Sequence, residues 1–210
     1  MQFRLTYQGP LYADRGEEDI RPPRVRHKHD IRRQFHEQLV ELWKVDSKLK
    51  QFTEQKIRLQ DQPPGNPPNS LGFIDEVSNK NEVGKIKWMP LAHEDWGVGC
   101  GLDILFLRHE PKGGVIQSGD LDNRIKTLFD ALRKPTAKEI PADVIPEQEP
   151  SPFFCLLSDD RLITEFRVTA DRLLVPAHVP DAEVYLVIEV RTFIIDHQKA
   201  LWMMGAIFHE

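Results

Sequence analysis

Alternation between apolar and polar positions is the first ordered feature of the chain. Residues 2–7 put Phe3 and Leu5 on one face of a predicted strand, which Gly9-Pro10 ends. Residues 102–108, 161–168 and 182–190 read as further strands, the last of them the strongest. The period lengthens at Phe35, Leu39 and Leu42, which predicts a helix over about 30–43. A polar stretch at 13–23, broken by Pro22-Pro23, precedes it and reads as a loop. Helical spacing returns at Ile125, Leu128, Phe129 and Leu132, and basic Arg133-Lys134 followed by Pro135 marks a stop. Residues 44–59 are highly charged and predict a continued or restarted helix, and 71–90 hold short strands or an inserted hairpin. Residues 62–70 are Pro/Gly/Asn-rich and predict a linker or long surface loop. Residues 136–152, rich in Pro and Glu, predict a flexible excursion rather than a packed element.

The order strand, helix, strand, strand predicts an α+β fold, a mixed β-sheet with helices packed on it. The single domain divides into an N-terminal strand, basic run and helix (1–60), a Pro-rich linker and insertion (61–95), a core (96–193) and an apolar tail (194–210). Within that tail, residues 201–208 are expected to dock on the core or on another subunit.

Composition narrows the class. No apolar run approaches the ~18–20 residues of a membrane span, and the first residues do not open a signal peptide. Cys100 and Cys155 stand far apart with no metal or redox motif. A soluble, cytoplasmic chain with no membrane partner is expected. The net charge of −5 argues against a surface that generally coats nucleic acid. Charge is uneven, however: Arg21, Arg24, Arg26, Lys28, Arg32 and Arg33 crowd together with only Asp30 opposing them. Such a run is either a solvated face or a DNA-binding patch, and an acidic site downstream favours the patch. His27, His29 and His36 lie in the same region without the cysteine or second spaced pair of a zinc site.

Candidate chemistry gathers at 119–132 and at Asp159-Asp160. Asp120 and Asp122 sit where the predicted helix begins, and Lys126 lies one turn beyond Asp122. Carboxylates there can cap unpaired backbone N–H groups, and Asp122 with Lys126 can form an i, i+4 pair. Capping needs only one carboxylate, and the acids here are denser. Asp120, Asp122, Asp160 and neighbouring Asp159 are instead a candidate ligand set for Mg²⁺, with Lys126 as a point charge on a phosphate. Asn123 holds the helix start or positions a water. Asp130, two turns from Asp122, reads as structural. An EF-hand is excluded, because Arg124 stands where an oxygen ligand belongs and no glutamate closes the loop.

The pattern D-x-D-N-x-x-K-x-x-x-D-A-L, followed by D-D and a strand, resembles the RusA family of Holliday-junction resolvases over roughly residues 96–193. The resemblance implies a homodimer that nicks a four-way DNA junction symmetrically with Mg²⁺, or Mn²⁺ in its place. It implies Asp120, Asp122 and Asp160 as metal-binding acids, Asp159 as a supporting acid and Lys126 as the essential lysine. The N-terminal strand and basic run resemble, more loosely, the family's DNA-facing segment. Candidate dimer surfaces are the strand 182–190, if it lies at a sheet edge, and the tail. Two other readings remain open: a nuclease of the same fold with another branched or single-stranded substrate, and a non-catalytic DNA-binding or assembly protein.

Overall fold

The structure is a computed structural model that describes residues 1–14, 16, 21–54, 56–57, 71–109, 120–174 and 183–200, without the side chains of residues 56, 57, 71 and 120. The linker expected at 62–70 and the tail expected to dock at 201–208 fall outside those residues. In order the elements are β1 (Gln2–Pro10), α1 (Pro22–Val45), α2 (Ser47–Glu54), β2 (Lys56–Ile57), β3 (Leu71–Gly72) and α3 (Phe73–Lys80). There follow β4 (Glu82–Val83), β5 (Ile86–Ala92), β6 (Val98–Arg108), α4 (Asp120–Leu132), β7 (Phe153–Leu157), β8 (Ile163–Arg172) and β9 (Glu183–Ile194). The fold is α+β, as the element order predicts.

The main sheet has the order β1-β9-β6-β8. β9 runs antiparallel to both β1 and β6, while β6 and β8 are parallel, so the sheet is mixed. Alternation sets its inner face: Leu5 and Tyr7 of β1, Leu102, Ile104 and Phe106 of β6, and Val184, Leu186, Ile188 and Val190 of β9 are all buried. Helices α1 and α4 close over this face with Ile31, Phe35, Leu39, Ile125, Leu128 and Leu132. A second sheet, β4-β5-β7, joins the same core through Met89, Leu91, Ala92, Leu156 and Leu157.

Three expectations change. Helix α1 starts at Pro22, eight residues before the predicted start, because prolines occupy its first turn. The N–H groups there have no intrahelical partner, so their loss costs nothing. The basic run is therefore helical. Residues 71–90 do hold short strands, with β4 and β5 paired as a hairpin, and α3 and β5 build them into the core through Phe73, Val77 and Met89. The excursion 136–152 is packed, with Ile140 and Val144 against a small core of Ile86, Trp88, Phe153 and Cys155. Lastly, β9 lies inside the sheet between β1 and β6. Its backbone is already paired on both sides, so it cannot zip onto a second copy.

Helix α1 also ties the second sheet down. His36 Nδ1 accepts the Phe154 backbone N–H at 2.8 Å, and its ring lies 4.7 Å from that of Phe153. This is a contact for a neutral imidazole, and burial lowers the His36 pKa. His29, fully buried, is lowered by burial as well, against the opposing pull of Glu149. Among the described residues, no helix is long and apolar enough to cross a membrane.

A pH dependence follows from these two histidines. Unfolding frees each to bind a proton near its ordinary value of 6.5, above its folded value. Their stabilisation is complete above that pH and is lost as the pH falls below it. The melting temperature should decline between pH 6.5 and 5, before the acids titrate. His36→Asn, which keeps an acceptor near the Nδ1 position, should flatten that decline. An unchanged slope in thermal melts of the variant would contradict this assignment for His36.

Candidate functional site at the start of the acidic helix

Helix α4 leaves two of its polar side chains in solvent: Asp122 and Lys126 are both exposed, one turn apart on one stripe. The apolar stripe holding Ile125, Leu128 and Leu132 faces the core and fixes that orientation. The side chain of Asp120 lies outside the described residues. Lys126 pairs with the carboxylate of Asp14, which falls in the polar stretch predicted as a loop. The Asp14 backbone N–H donates to the carbonyl of Asn123 at 3.0 Å, and its Oδ1 accepts the N–H of Gly16 at 2.7 Å. Burial pushes the Asp14 carboxyl up, but the bonds from Lys126 and Gly16 outweigh it and leave the pKa lowered. The Asp-x-Gly spacing is an Asx-turn signal, the one trace of this residue's role in the sequence.

The second acidic pair lies elsewhere. Asp160 Oδ2 is 3.9 Å from Arg133 Nε, and Phe129 of α4 meets Phe166 of β8 with ring centroids 5.3 Å apart. Rising residue numbers on α4 thus face falling numbers on the segment entering β8. The helix runs antiparallel to the strand, so residues just before β8 sit at the helix's far end. Eleven residues, about 16 Å of helix rise, separate Asp122 from Arg133. Asp159 is committed locally: Oδ1 accepts from the backbone N–H of Arg161 at 2.9 Å and from its Nε at 2.8 Å. Those bonds lower the Asp159 pKa.

The acids were expected to converge on one ion. Two oxygens on one Mg²⁺ lie within about 4 Å of each other, which Asp122 and Asp160 at opposite ends of α4 do not meet. Among the described residues, no three His, Cys, Asp or Glu side chains are grouped to hold a metal. Among the described side chains, Asp122, Asp159 and Asp160 are therefore not gathered on one ion; that of Asp120 lies outside them.

No family model, curated protein or solved structure matches this chain. The functional reading rests on the chemistry of its own residues.

The basic run divides sharply. Lys28 and Arg32 are only 4% and 1% exposed. Lys28 Nζ lies 2.7 Å from Asp130 Oδ2, and Arg32 Nη2 donates to the Asp130 carbonyl at 2.9 Å. These two were expected to contact DNA, and burial against α4 corrects that. Arg26 pairs with Asp143, and Arg33 with Glu149, both from the excursion. Its acids lie where phosphates were expected. Arg21 is exposed at the head of α1, and the Arg24 guanidinium sits 5.1 Å above the half-exposed ring of Tyr12. Tyr12 is two residues from Asp14, the partner of Lys126, so Arg24 stands over the segment that reaches the start of α4.

Asp130 is structural, as its position predicts. Besides Lys28, it accepts from Arg133 Nη2 at 2.8 Å, and Arg133 also grips Glu139 with two bonds of 2.8 and 3.0 Å. Burial alone would raise the Glu139 carboxyl; the bonds from Arg133 and the Thr136 N–H bring it down to about 2.

The two classes of arginine separate by experiment. Arg32→Ala leaves the backbone carbonyls of Asp130 and Glu139 without this buried donor and should cost about 1.5–3 kcal/mol in denaturant unfolding. Arg24→Ala should change stability by less than about 1 kcal/mol and lower the slope of log K against log salt for DNA by about 0.9. An Arg24→Ala protein with an unchanged salt slope would return Arg24 to a solvated face.

Proposed function

We propose that this chain is a soluble, cytoplasmic RusA-like endodeoxyribonuclease that cuts branched DNA, four-way junctions first among them, as a homodimer. One observation carries the reading: Asp122 and Lys126 stand exposed one turn apart at the head of α4, with the lysine held by a buried aspartate. A helix that merely packed would need no such pair. Placing an ammonium beside an exposed carboxylate suits a phosphodiester, whose oxygens need a cation while the attacking water needs an acceptor. Lys126 would neutralise the scissile phosphate as a point charge, and Asp122 would orient the water. Arg21 and Arg24 would hold the flanking backbone. The motif that resembles the RusA family supports the same chemistry and brings the expectation of Mg²⁺ or Mn²⁺.

The separation of Asp160 from Asp122 favours a second reading, a DNA-binding or assembly protein that keeps the fold without cutting. Cleavage decides between them. A synthetic four-way junction should be nicked in the presence of Mg²⁺, a linear duplex far less, and neither after chelation. Asp122→Asn should lose cleavage and bind the junction as well as or better than the parent, since a negative charge facing phosphates is gone. Junction binding without cleavage under every metal condition would establish the non-catalytic reading. Light scattering should report a dimer at micromolar concentration with junction DNA, because paired cuts need two sites; a monomer would exclude paired resolution.

A further inference from the structure

Asp14 is more tightly built into the head of α4 than a loop residue needs to be. Its side chain is 3% exposed, while that of its partner Lys126 is 62% exposed. Three contacts fix it: its own N–H on the Asn123 carbonyl, the Gly16 N–H on Oδ1, and the Lys126 ammonium on Oδ2. Gly16 has a φ of +65°, in the left-handed region that glycine reaches without strain, so the turn that aims its N–H back at Asp14 suits this residue. The Asn123 carbonyl also accepts the Thr127 hydroxyl at 3.3 Å, so Asp14 is joined to the same turn of helix that carries Asp122 and Lys126.

Burying a carboxylate against an exposed lysine is a poor way to add stability, because desolvation of the anion offsets much of the attraction. A lysine on a four-carbon stem is flexible, by contrast, and an exposed one samples many rotamers. A fixed anion at its tip removes that freedom. An ammonium carries three N–H donors, so the pair with Asp14 is compatible with a further contact to a phosphate oxygen.

From this geometry we infer that Asp14 is a positioning residue, holding the Lys126 ammonium over the head of α4 where a scissile phosphate would bind. The inference rests on the nuclease reading above. Asp14 touches no substrate itself. It sets where the positive charge stands, and preset charge at the reacting group acts on the rate more than on binding.

The test uses the full chain, a synthetic four-way junction and Mg²⁺. Asp14→Asn should slow single-turnover cleavage about ten- to a hundredfold, with the junction Kd within about twofold of the parent. Asp14→Glu, which keeps the charge, should recover part of the rate. Asp14→Asn combined with Lys126→Arg should lose no more than the worse single variant, because both disturb one unit. A second readout needs no activity: mass spectrometry after mild amine acylation should show Lys126 modified faster in Asp14→Asn than in the parent. Wild-type or faster cleavage by Asp14→Asn would overturn the inference and leave the nuclease reading standing. Strictly additive losses, or equal acylation of Lys126 in both proteins, would overturn it too. A parent chain that cuts no branched DNA would instead overturn the nuclease reading, and the positioning role with it. Should Asp14→Asn fail to fold, Asp14→Glu decides alone: a reduced rate at unchanged Kd supports the inference, and an unchanged rate overturns it.

Discussion

The rest of the structure depends on the buried charge network around Asp130. Lys28 and Arg32 from α1 reach its carboxylate and carbonyl, and Arg133 joins it to Glu139. An unpaired charge in such a place would be severely destabilising, so the five side chains can be buried only together. That requirement sets the packing of α1 on α4 and the docking of the excursion against both. Burial lowers the Arg32 guanidinium to about 10, still far above neutral pH, so the cation remains in place.

Acids of the excursion do for the lower half of the basic run what a nucleic acid would otherwise do. Asp143 and Glu149 neutralise Arg26 and Arg33, and Glu139 secures Arg133. A chain that is acidic overall can thus carry a dense arginine run without a wide positive face. The exposed positive charge at the head of α4 is then that of Lys126, one turn from Asp122.

One helix explains why the two acidic pairs, neighbours in a motif, are not neighbours in space. A motif records spacing along the chain and says nothing about direction. Because α4 and β8 are antiparallel, the Asp122 end and the Asp160 end point opposite ways along the same face of the sheet. Arg133, at the foot of the helix, takes up Asp160, and Arg161 takes up Asp159.

The pattern along the chain was enough to define α4, β6, β8 and β9, since each repeats its own period long enough to commit one face to the core. It was also enough to mark Asp122 and Lys126 as chemically unusual, because a helix head needs fewer charges than this one carries. It misjudged the start of α1, where prolines signal a break along the chain but are harmless in a first turn. It read the excursion as flexible because its packing comes from isolated residues, Ile140, Val144, Glu139 and Glu149, that follow no period. Asp14 was hidden for the same reason: its partners are 109 and 112 residues away, at Asn123 and Lys126. Which basic residues are buried, which acids meet and which lysine is held are decided by contacts between distant segments. Those depend on how the two helices lie on the sheet, and local periodicity carries no record of that.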